Sequence, residues 1–152
     1  MRLDKWIIAA WIMYFVALLM PWTEKLGSGW LYGWFWHFLD LPMFILFISF
    51  DQTDLKGLAS SFAVLASLIM WLSPWLAYLV KKGRLGFYCY LPMLALIFAV
   101  FASGLKFYSF ALSSSLIPMY VIGNIVWVIA FILLSRGFFR QMAYIKQNTI
   151  QA

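Results

Sequence analysis

One histidine and one aspartate stand three residues apart in an apolar stretch, GWLYGWFWHFLDLPMF, residues 29–44. His37 is the only histidine of the chain, and Asp40 follows it by about one helical turn. An ionisable pair at mid-depth of an apolar helix can pass a proton, hold a cation or hydrogen-bond to a neighbouring helix. Near a membrane surface, the same two groups are simply hydrated. Pro42 has no amide hydrogen and leaves the carbonyl of Phe38 without its helical partner, which favours a kink or a small polar pocket beside Asp40. Asn124, next to Gly123 in a later apolar run, is the third strong hydrogen-bonding group. An amide in hydrocarbon requires a partner, and Asp40 and Ser103 are the candidates.

Other chemistry has less to work with. The lone Cys89 has no disulfide partner in the chain, and one cysteine with one histidine makes no zinc or iron–sulfur ligand set. There is no phosphate-binding glycine loop, nucleophile elbow, metalloprotease helix or pair of catalytic carboxylates. Trp30, Tyr32, Trp34 and Trp36 have the shape to stack a quinone or a haem. Tryptophan and tyrosine also gather at membrane–water interfaces, and Trp22, Trp71, Trp75 and Tyr78 fit the same belt. No cofactor and no catalytic residue are expected, and haem held by two histidines is excluded by the count.

The elements that must position these groups follow from composition. Of 152 residues, 66% are hydrophobic, 21% aromatic and 11% charged, with a mean hydropathy of +0.92. A water-soluble domain of this size cannot bury so much apolar surface, so the expected solvent is a bilayer. Five apolar segments are marked, at 6–22, 30–50, 57–80, 86–110 and 116–135. At about 1.5 Å per residue, each approaches the hydrocarbon thickness of about 30 Å. The expected fold is therefore an all-α integral membrane protein, a compact bundle of five helices with short loops. Residues 136–152 carry Phe138, Met142 and Ile145 at helical spacing, which suits an amphipathic tail on the cytoplasmic surface.

The formal charge of +6 points to topology and not to nucleic acid, because the basic residues collect at the ends of the apolar runs. Lys81, Lys82 and Arg84, and then Arg136, Arg140 and Lys146, belong on the cytoplasmic side, which puts the carboxyl terminus there. If all five segments cross, seven Lys and Arg residues lie inside against four outside; if residues 30–50 dip in and return, the ratio is eight to three. Insertion of 30–50 is favoured by about 5 kcal/mol from its Leu, Ile and Phe residues and opposed by about 3 kcal/mol from Asp40. The sum favours crossing, and the re-entrant arrangement stays open.

Small residues mark where helices approach closely. Gly29 and Gly33, with Trp36 on the same face, remove bulk in the second segment. Ala59, Ala63 and Ser67 do the same in the third, and Ala95, Ala99 and Ser103 in the fourth, each with a four-residue step. Such stripes hold helices of one chain together or form a face for a partner. The expected function is non-enzymatic: a small polytopic protein of a bacterial inner membrane that binds another membrane protein or itself, as accessory, immunity or inhibitor proteins do. The alternative is a small oligomeric proton-coupled transporter or channel built on His37, Asp40 and Asn124. The lipid bilayer is a partner on either reading.

Overall fold

A computed structural model describes residues 4–20, 55–82, 88, 90–113 and 118–150. Among these there are four α-helices and no strand: α1 (Lys5–Leu19), α2 (Leu55–Lys81), α3 (Leu91–Ser113) and α4 (Pro118–Ile150). The expected second segment, 30–50, lies outside the described residues, and with it Gly29, Gly33, Trp36, His37 and Asp40.

Local sequence accounts for the helix ends. Asp4 caps α1, its carboxylate accepting the amide of Trp6 at 2.9 Å while its carbonyl accepts from Ile7 and Ile8. At the other end Met20 turns extended, at φ −84° and ψ 151°. It precedes Pro21, whose ring disfavours helical backbone in the residue before it. Helix α2 runs on through Pro74, which leaves the carbonyl of Met70 without its usual amide. Helix α4 continues unbroken past Ser135, the residue at which the sequence pattern separates a membrane span from a surface tail. Beyond that point Phe138 is fully buried, and Met142 and Ile145 pack against the core, so the apolar face of 138–145 is turned to protein.

Among the described residues three helical stretches are long and apolar enough to cross a membrane, 61–81, 91–108 and 121–145. This is what a membrane protein requires. Helix α1 is as apolar but has 15 residues, about 22 Å, short of the roughly 30 Å of a bilayer core. A crossing by α1 alone, as the boundaries 6–22 suggest, is therefore not among the spans that length supports.

The helices pack in a fixed order, α1 chiefly on α4, α2 on α3, α3 also on α4, and α2 on α4 over a shorter stretch. Named contacts give the directions. On α1, residues 6, 7 and 14 meet Arg136, Gly137 and Phe131 of α4, so the two run antiparallel. Trp11 reaches Ser73 and Trp71 while Tyr14 reaches Trp71 and Ser67, so α1 is also antiparallel to α2. Ser135 donates to the carbonyl of Pro92 at 2.9 Å, tying the start of α3 to the middle of α4. The shared core is one cluster drawn from all four helices, from Ile7, Ala10 and Tyr14 through Ala63 and Met70 to Ala99, Trp127, Phe131 and Phe138.

Candidate functional site

Where α1, α2 and α4 meet, six aromatic rings form a continuous run. Phe15 and Trp11 lie 5.5 Å apart; Trp11 meets Trp71 at 5.4 Å and an interplanar angle of 84°. Tyr14 stands edge-on to Trp71 at 6.4 Å and to Phe131 at 6.2 Å, and Phe131 meets Trp127 at 5.1 Å. Edge-to-face geometry sets the positive rim of one ring against the negative face of the next, which adds roughly 0.5–1.5 kcal/mol per pair beyond packing. One hydrogen bond ties the run to α2, and the Tyr14 hydroxyl sits close by. The indole Nε1 of Trp11 donates to Ser73 Oγ at 3.1 Å, and the Tyr14 hydroxyl lies at Ser67 and Trp71.

The two ends of this run differ in exposure. Tyr14, Phe131 and Trp127 are sealed in the core, whereas Phe15 is 48% and Trp71 55% exposed, flanked by exposed Ile12, Leu72 and Trp75. Counted along α2, Trp71 lies ten residues before Lys81, about 15 Å, half the thickness of a bilayer core. Tyr78 near the helix end, with Lys82 Nζ 4.7 Å from its ring, has the position of an interfacial aromatic. Trp71 does not, since the belt lies at the headgroups and Trp71 stands one half-membrane away from Lys81.

The residues singled out by sequence fall into three groups. His37, Asp40, Gly29, Gly33 and Trp36 are outside the described residues. Ala59, Ala63, Ser67, Ala95, Ala99 and Ser103 are all buried within the chain. Phe62 stacks on Phe98 at 5.5 Å and lies beside Phe101; with α2 and α3 antiparallel, as the short connection from Lys81 to Leu91 requires of packed neighbours, 59, 63 and 67 stand about level with 103, 99 and 95. Asn124 is buried on α4. Eleven residues back from Ser135 and eleven forward from Pro92 reach Asn124 and Ser103, so the amide and the hydroxyl share a depth.

Several contributors carry no sequence signal of their own. At Gly137 α1 comes close to α4: a Cβ there would stand 2.7 Å from Ile7 Cγ1 and 3.1 Å from the Ile7 nitrogen. Arg136 lies with its guanidinium carbon 4.1 Å from the ring centre of Trp6, a cation–π contact at the same end. Gln141 is buried, and among the described residues its amide makes no hydrogen bond. Among the described residues no group of three His, Cys, Asp or Glu side chains converges as a metal site. No known protein family, curated protein or solved structure matches the chain.

Proposed function

We propose that the protein is a non-enzymatic helical bundle of a bacterial inner membrane, its carboxyl terminus cytoplasmic, that acts by binding another membrane protein. The observation that carries this reading is the exposed half of the aromatic run. Trp71, with Phe15, Ile12, Leu72 and Trp75 around it, presents rigid apolar area at a depth where lipid headgroups do not reach. Tryptophan and tyrosine supply much of the energy at protein interfaces because a large ring loses little conformational freedom when it is covered. Here the exposed rings are also pre-set: Trp11 is tied to Ser73, and Trp71 is held edge-on by Trp11 and Tyr14.

The small-residue stripes of α2 and α3 do not serve this purpose, since they are buried inside the chain. Gly29, Gly33 and Trp36, the contact face the sequence suggests, lie outside the described residues; among those described, the α1–α2 side is the face we assign to the partner. The transport alternative draws on His37, Asp40 and Asn124, of which Asn124 alone lies among the described residues.

A photo-crosslinking amino acid at Leu72, 51% exposed, tests the reading in native membranes. The expected product is a discrete adduct with a second membrane protein, lost when Trp71 is replaced by alanine. Lipid adducts alone at Leu72, with none to protein, would overturn it.

A further inference from the structure

Helix directions and charge together assign a side of the membrane to the amino-terminal end, which the sequence leaves undecided. Because α1 is antiparallel to both α2 and α4, the start of α1, the end of α2 and the 135–140 region of α4 lie at one end of the assembly. The start of α3 joins them through the Ser135–Pro92 bond. Lys5, Lys81, Lys82, Arg136 and Arg140 all stand exposed there. Lys5 and Arg136, from helices far apart in sequence, flank one ring, their charged groups 5.8 Å and 4.1 Å from the centre of Trp6. Asp4 is the acid at this end of α1, and its carboxylate is occupied in capping the helix. Lys56 and Lys106 belong to the opposite end, on the first turn of α2 and the later part of α3.

We infer that this basic end is the surface the protein sets against the anionic headgroups of the cytoplasmic leaflet, so that the start of α1 lies on the same side as the carboxyl-terminal part of α4. Cationic residues beside a span are retained on the cytoplasmic side. Among the described residues the assignment puts Lys5, Lys81, Lys82, Arg136, Arg140 and Lys146 there, against Lys56 and Lys106 opposite. An arrangement with the amino terminus outside requires α1 to run parallel to α4, and the contacts of Ile7 and Tyr14 run the other way.

This inference rests on the membrane reading, and the experiment separates the two. The full chain, with a protease-cleavable epitope at its amino terminus, Cys89→Ser and Ala143→Cys, is expressed in a bacterial host. Resistance to carbonate extraction shows that it is integral; its release would sink the membrane reading itself. For the integral protein, the epitope is expected to be protected in spheroplasts and cut in inverted vesicles. An impermeant maleimide is expected to label position 143 in inverted vesicles only. The two sites on opposite sides, both sites outside, or a mixed population would each overturn the assignment. A single-cysteine variant Lys5→Gln keeps the test independent of the epitope: its maleimide pattern at 143 is expected to match.

Discussion

Where α2 meets α3, the close positions are alanines and serines four residues apart; where α1 meets α2 and α4, one glycine and a set of large rings take their place. Both junctions join apolar helices, and in lipid neither gains much from leaving the solvent, because acyl chains are as apolar as leucine. What remains is dispersion between well-fitted surfaces and the occasional hydrogen bond. The α2–α3 seam obtains its fit by bringing backbones together over Ala59, Ala63, Ala95 and Ala99, all at most 1% exposed. The α1 junction obtains it with Tyr14, Phe131 and Trp127, equally buried but spanning the gap with rings. A seam of small residues is saturated by one partner. An aromatic junction ends in rings that reach the outside, as Trp71 and Phe15 do.

If the rings are what hold α1, truncating the central one should have the largest effect. Phe131 is fully buried between Tyr14 and Trp127. Phe131→Ala leaves a cavity that no neighbouring ring can fill, and the expected loss is about 3 kcal/mol, the lower end for buried aromatic truncations because the transfer contribution is weak in lipid. Unfolding in a detergent titration measures it. A loss no greater than about 1 kcal/mol, the size of an ordinary substitution, would mean that the ring run is ornamental and that α1 is held elsewhere.

The elsewhere would be Gly137, which offers a sharper comparison with another helical glycine, Gly104. Around Gly104 of α3 a Cβ would meet nothing within 4 Å; at Gly137 it would meet the side chain and the backbone of Ile7. Gly137→Leu is expected to destabilise by about 1–3 kcal/mol, as overpacking does, and to release α1 from α4. Gly104→Leu should stay within about 0.5 kcal/mol of the parent. Protease sensitivity of the α1 region, measured on both variants, separates them. Equal behaviour would show that the approach of α1 to α4 is not set by glycine.

These two junctions were not equally legible in the sequence. The stripes at 59, 63 and 67 and at 95, 99 and 103 announce themselves, because a four-residue period of small side chains in an apolar run has a direct packing meaning. Read from the sequence, the first helix ends too late: the apolar run extends to Trp22, whereas α1 stops at Leu19, ahead of Pro21. Gly137 sits in RGFFR, where flanking arginines read as the exit from a membrane, and its role depends on Ile7, 130 positions earlier. The pairing of Trp11 with Ser73 is likewise a product of helix direction and register, and no local pattern encodes either. Residue type makes Asp40 and Ser103 the candidate partners of Asn124; the register places Ser103 level with it, yet among the described residues the Ser103 hydroxyl makes no hydrogen bond. A shared depth is a weaker condition than a shared azimuth, and sequence periodicity gives the azimuth of each helix only relative to itself.

The smallest expected effect concerns a hydrogen bond that joins α1 to α2, from Trp11 Nε1 to Ser73 Oγ at 3.1 Å. Interhelical bonds of this kind in membranes are worth about 0.6 kcal/mol, less than their dry surroundings suggest, because the separated helices find other partners in the membrane. Ser73 is fully buried on the turn that contains Pro74, so Ser73→Ala leaves the indole facing a carbon without opening a cavity. Its expected cost is about 0.6 kcal/mol. Trp11→Phe removes the donor but also ring area in contact with Trp71 and Phe15, so its cost should exceed that of Ser73→Ala. The double variant isolates the bond: if it contributes as stated, Ser73→Ala in the Trp11→Phe background should be nearly neutral, and the coupling should come to about 0.6 kcal/mol. Additive losses would assign the hold of α1 on α2 to ring packing alone, and would make the aromatic junction differ from the alanine seam more completely than the distances imply.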